Sequence, residues 1–211
     1  MAVQHKVSGF AAIRRDRCSG RIMFSKILFS LPFAAFALMA AAPAPVPVVP
    51  SIAAPPEVAA DPANNLTLEL SNGGTVVILL RPDLAPHHIA QIQTLVRRGF
   101  YNGLIFHRVI PGFMAQGGDP KGTGEGGSDL PDIKAEFTPV PFLRGTVGAA
   151  RAESPDSANS QFFIMFVPNS SLDNNYTVIG RVISGMDAVD KIAPGEPPAD
   201  PTQIVRAYLG R

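Results

Sequence analysis

"FHRVIPGFMAQGGDP", residues 106–120, sets one arginine and one glutamine inside an apolar, aromatic run that ends in glycines. On either side of Pro111-Gly112 lies a short segment rich in β-branched or aromatic residues, so the stretch predicts two strands and a turn. Successive strand side chains point to opposite faces, which puts Arg108 with Ile110 on one face and Met114 with Gln116 on one face. A cation and an amide then share a surface with large apolar groups. On the same alternation His107 faces the other way and reads as a satisfied core histidine.

The surrounding chain has the same texture. Upstream, "LTLELSNGGTVVILL" (66–80) places two β-rich runs around an Asn-Gly-Gly turn, a strong hairpin signal. Its second run is apolar enough for burial on both faces. "APHHIAQIQTLVRRGF" (85–100) spaces Ile89, Ile92, Leu95 and Val96 three and four apart, behind Pro86 and before Gly99, and predicts an amphipathic helix. Downstream, "GTVGAARA", "SQFFIMFV", "YTVIGRVISG" and "TQIVRAYLG" are further strand candidates, with a short helix over 186–192. Many short strands with two helices predict a mainly β fold. A closed or nearly closed antiparallel barrel is expected, because closure removes exposed edges. Residues 119–143, rich in glycine and charge, read as a surface loop.

The N-terminal part does not read as core. Residues 27–42, ILFSLPFAAFALMAAA, form an apolar run behind Lys26 and before small residues, the shape of a signal peptide or, if retained, of an anchor. Residues 1–42 are therefore expected to be a basic leader and signal peptide or anchor, with a start at Met23 an open alternative. The Pro/Ala-rich residues 43–63 are expected to be an extended linker and 64–211 the folded domain. Six basic residues and one acidic residue lie in 1–26; removing them from totals of 18 and 17 leaves 12 and 16, a net charge near −4. A nucleic-acid binder would present a basic face, so none is expected. Cys18 is the sole cysteine, which leaves the domain to be held by packing alone.

Three blocks carry a resemblance: "FYNGLIFHRVIPGFMAQGGDPKGTGEGG", "RGTVGAARAESPDSANSQFFIMF" and "LDNNYTVIGRVISGMDAVDKI". In this order they resemble a cyclophilin-type peptidyl-prolyl cis/trans isomerase of the kind bacteria export. The resemblance spans Leu66 to Gly210. It implies a closed eight-stranded antiparallel β-barrel capped by two α-helices, with an outer groove for X-Pro segments. It implies proline-containing polypeptides as partners; no cofactor and no metal are expected, the apolar run points to a periplasmic location or, if uncleaved, a membrane anchor through residues 27–42, and a monomer is the default.

The resemblance also assigns roles. Arg108 is the guanidinium set against the prolyl amide, and Gln116 hydrogen-bonds the substrate backbone. Phe113, Met114, Phe163, Leu172 and Tyr176 line a proline pocket, Gln161 orients Gln116 or Arg108, and the backbone at Ala150 and Arg151 pairs with the peptide. Ser171 stands where many relatives carry a large aromatic, so weak cyclosporin binding is expected. Tyr176 and Arg151 replace a histidine and an asparagine common in eukaryotic members. Ala149 and Ile179 replace a usual methionine and phenylalanine and read as core changes.

Other motifs read as structural. "GTGEGG" (122–127) matches G-x-G-x-x-G literally, but a proline-containing segment follows it where a dinucleotide site needs a helix. His87 and His88 are adjacent on a helix, so they point in different directions and make a poor metal site. No Gly-x-Ser-x-Gly elbow is present for a hydrolase. A non-catalytic module that holds proline segments in the same groove remains the alternative to catalysis.

Overall fold

Leu66, Leu68 and Leu70 alternate along β1 (Asn65–Leu70) and face Ile78 and Val76 of β2 (Thr75–Leu80) across an antiparallel ladder. The computed structural model describes residues 51–210. The leader, the apolar run and the first part of the linker lie outside the described residues. In the hairpin turn Leu70 donates to Gly74 O at 2.8 Å, and Asn72 Oδ1 accepts from Gly74 N. β2 is buried on one face only, with Val77 and Leu79 half-buried. The expectation of burial on both faces therefore fails, because no layer covers the outer side of the hairpin there.

Six more strands follow: β3 (Phe106–Ile110), β4 (Met114–Gly117), β5 (Thr146–Ala149), β6 (Phe162–Met165), β7 (Val178–Ser184) and β8 (Ile204–Leu209). They form one curled, eight-stranded antiparallel sheet in the order β3-β4-β6-β5-β7-β2-β1-β8. Its end strands meet through a bridge between Ile105 and Gln203. Hydrogen bonds from Phe106 N to Thr202 O (3.0 Å) and from Ile204 N to Leu104 O (2.8 Å) flank that bridge.

The inner face carries the main core, including Leu68, Ile78, Leu80, Phe106, Val147, Phe162, Ile164 and Ile204. Three short helices are α1 (Pro56–Ala60), α2 (Pro86–Arg97) and α3 (Met186–Val189). α2 buries Ile89, Ile92, Leu95 and Val96, the predicted stripe, and packs near β8. α3 is shorter than expected from 186–192. After Asp190 the chain turns to i→i−3 hydrogen bonds from Lys191 N and Ile192 N, while Val189 and Ile192 stay buried.

The segment before the sheet departs from the expected featureless linker. Residues 56–60 are helical and Pro62–Asn64 form a 3-10 turn. Asn64 Nδ2 donates to Val58 O, Gln93 Nε2 donates to Ala63 O, and the buried Arg81 guanidinium donates to Ser51 O and Ile52 O. Composition alone suggested an extended chain; these partners lie far along the sequence and were invisible to it. Likewise 119–143 is only partly a surface loop, since Ile133, Val140 and Phe142 are buried in it.

Candidate active site

The β3–β4 ladder sets the site. Phe106 faces Gly117 and Arg108 faces Gln116, so two residues of β3 oppose one step of β4 and His107 is the extra residue of a bulge. Phe106 and Val109 thus face the core, while Arg108 and Ile110 face out beside Gln116 and Met114. The same alternation along β6 sends Phe162 inward, edge-on to Tyr101 and Phe106, and Phe163 outward. On the outer face a second apolar cluster gathers Met114, Phe142, Phe163, Met165, Leu172 and Val178, with Ile110, Phe113 and Tyr176 packed against it.

A groove of about 300 Å³ opens on this cluster, lined by Arg108, Phe113, Met114, Gln116, Ala150, Arg151, Phe163, Leu172 and Tyr176. Phe163 stacks on Phe142 with ring centroids 5.8 Å apart and meets the Tyr176 ring edge-on at 5.7 Å. These contacts make a stiff aromatic floor. Arg108 lies on the rim, 43% exposed, and donates from Nε to Glu196 Oε2 at 2.7 Å. Its four other N–H donors make no hydrogen bond among the described residues.

Gln161, the remaining sequence-derived candidate, lines a neighbouring groove of about 290 Å³ that shares Gln116, Ala150 and Arg151 with the first. It accepts from Gln116 Nε2 at 2.9 Å and donates to the carbonyls of Gly124 and Gly126. Arg151 lies over the Tyr176 ring, 4.6 Å from its centroid, and donates to the carbonyls of Ala152, Glu153 and Asn175. Ala150 N is already bonded to Gln161 O, whereas the Ala150 carbonyl and the Arg151 N–H have no partner among the described residues. Ser171 is exposed, its hydroxyl bonded to Asn169 Oδ1.

Three residues behave differently from expectation. His107 is buried, but not as a satisfied core group: among the described residues neither ring nitrogen has a hydrogen-bond partner, and the ring lies beneath Gly124. The bulge, not the simple strand phase, sets that direction. Burial lowers its pKa, with Asp119 opposing and Arg108 assisting, so it is a poor acid for chemistry in the groove. His87 and His88 do not diverge; both Nδ1 atoms meet Glu136, at 2.8 and 2.6 Å. Both backbone N–H groups also donate to that carboxylate, which closes the N-terminal turn of α2. No group of three or more His, Cys, Asp or Glu suited to a metal occurs among the described residues.

"GTGEGG" encloses a carboxylate of the chain itself. Asp119 accepts from the backbone N–H groups of Lys121, Thr123 and Gly124 at 2.7, 2.9 and 2.6 Å. Burial alone would raise its pKa, yet the backbone donors of Lys121, Gly124, Gly126 and Thr123 together hold it below the usual carboxylate value. A Cβ added at Gly126 would run into the Asp119 carboxylate, which would have to leave its cradle.

A curled antiparallel sheet thus carries on its outer wall an aromatic slot with an arginine on its rim and an amide pair beside it. Residues 65–209 match the family model described as cyclophilin type peptidyl-prolyl cis-trans isomerase/CLD. The chain belongs to that family and is a cyclophilin-type peptidyl-prolyl cis-trans isomerase. It is 53% identical over 167 residues to a probable peptidyl-prolyl cis-trans isomerase of Brucella suis biovar 1 (strain 1330), covering 72% of this chain and 85% of that one. The human peptidyl-prolyl cis-trans isomerase-like 1 is 39% identical over 153 residues, or 68% of this chain and 91% of the relative. Among solved structures, a cyclophilin from Hirschia baltica aligns with a TM-score of 0.66 and 32% identity, over 71% of this chain and 74% of that one.

Proposed function

We propose that the enzyme accelerates X-Pro rotation by holding the proline ring in the Phe113, Met114, Phe163 and Leu172 slot while Arg108 hydrogen-bonds the twisted amide. The planar amide resists rotation by about 18–20 kcal/mol, although the two X-Pro isomers differ by only about 0.5–1 kcal/mol. At the top of the barrier the nitrogen is pyramidal and carries a lone pair that the planar forms lack. A donor placed there stabilises the twisted state selectively, and no bond is broken. The carrying observation is the shared rim: Arg108, with four free donors, borders the same groove as the aromatic floor. Gln116, held by Gln161, faces the substrate backbone, and the Ala150 carbonyl with the Arg151 N–H offers a short strand-like edge to the peptide.

The test is a protease-coupled assay on a proline peptide. Arg108→Ala is expected to lower kcat/KM by about 10²-fold. Equal rates for wild type and variant would overturn the role given to Arg108.

The barrel is closed at the β3–β8 seam, supported by the Ile105–Gln203 bridge, and is capped by α2 and α3. The enzyme acts on exported proteins, free in the periplasm or anchored in the membrane if residues 27–42 are retained; the apolar run 27–42 supports export. N-terminal sequencing of protein recovered from a periplasmic fraction checks this; recovery only from the cytoplasm would refute it.

A further inference from the structure

The one hydrogen bond that the Arg108 side chain makes among the described residues goes to a residue outside the groove, Glu196. Glu196 lies in the irregular segment between α3 and β8, but its backbone is fixed to β3. Gly195 N donates to Val109 O at 2.9 Å and Val109 N donates to Gly195 O at 2.8 Å, a two-bond bridge to the neighbour of Arg108. Ala193 N to Thr202 Oγ1 ties the segment across its base. Gly195 adopts φ +145°, and a Cβ there would lie 2.5 Å from Pro198 Cα, so glycine alone lets the chain bend back over the strand. Carboxylate and guanidinium are therefore set side by side by backbone pairing, not by chance contact of two long side chains.

Which edge of the guanidinium is held matters. Glu196 takes the Nε–H and leaves both terminal amino groups unclaimed. At 43% exposure Arg108 has little packing to fix its rotamers, and an unpositioned guanidinium would seldom meet the amide in mid-rotation. A carboxylate also attenuates the positive charge, but Glu196 is itself 51% exposed and water screens that effect. Orientation outweighs attenuation.

We infer that Glu196 is a positioning residue, holding the Nε edge of Arg108 so that its free fork faces the rotating amide. The inference rests on the proposed role of Arg108. The test measures kcat and KM separately on an uncharged Xaa-Pro peptide for wild type, Glu196→Ala, Glu196→Gln, Arg108→Ala and the Arg108→Ala/Glu196→Ala double variant, each with a thermal melt. Glu196→Ala is expected to lower kcat about five- to tenfold with KM within about twofold, since misorientation costs the transition state more than binding. Its melting temperature should match wild type. Glu196→Gln should recover most of the loss, because its amide oxygen still accepts from Nε. In the Arg108→Ala background removal of Glu196 should have no further effect. An unchanged or raised kcat in Glu196→Ala, or an equal loss in the Arg108→Ala background, overturns the inference while leaving Arg108 in place if Arg108→Ala is itself inactive. A wild-type rate for Arg108→Ala overturns both.

Discussion

His107 is buried with both ring nitrogens unpaired, and the physics of that state gives a pH dependence. Its folded-state pKa lies below the ordinary 6.5, as does that of His88, where burial outweighs the Glu136 contact. The native state thus binds fewer protons than the unfolded chain. The associated stability is present above about pH 6.5 and is lost as pH falls through the lowered values. Thermal melts from pH 7.5 to 5 should show a falling melting temperature. His107→Leu should flatten that dependence and be neutral to stabilising by about 1 kcal/mol at pH 5, since it removes a buried polar group with no partner. A variant as acid-sensitive as wild type would refute the assignment to His107. At this scale Arg108, Gln116 and Phe163 were legible because their motifs are local and specific. The burial of His107 was legible too, but its lack of ring partners was not, because that depends on what the fold packs around it. Glu196 was missed for a related reason: it stands in "PGEPPADP", which has no period, and its link to β3 spans 88 residues.

At the scale of elements, the glycine-rich turn 122–127 works as a backbone cradle for Asp119 that also reaches the groove. Gln161 donates to Gly124 O and Gly126 O and accepts from Gln116, so cradle, amide pair and groove form one hydrogen-bonded chain. Gly126→Ala must displace the Asp119 carboxylate. The expected cost is about 1–3 kcal/mol of stability, with a several-fold fall in kcat/KM from a loosened Gln116. Denaturant melts and the coupled assay measure both; a stable variant of normal activity would show that the cradle and the amide pair are independent. Strands, hairpin turn and α2 were readable because each declares itself over a few residues through alternation, Asn-Gly-Gly or a 3-4 spacing. The cradle was visible only as a literal G-x-G-x-x-G match, set aside for want of a following helix, since sequence alone does not show that the anion it wraps is its own.

Over the whole molecule, the start of the segment before the sheet is held by one buried cation. Arg81 is 4% exposed, pairs with Asp83 at 2.7 Å and donates to the carbonyls of Ser51 and Ile52. Arg81→Ala should release residues 51–63, so that limited proteolysis cuts there first while the sheet survives. Initial cleavage elsewhere, or none, would refute this. Composition hid this attachment, because a Pro/Ala-rich stretch looks the same whether free or docked. The β6 strand carries the broadest consequence. Phe162 and Phe163 are consecutive, yet one belongs to the inner core and the other to the outer groove. Core and groove wall are thus a single strand apart, so a substitution at Phe162 bears first on the fold and one at Phe163 first on the groove.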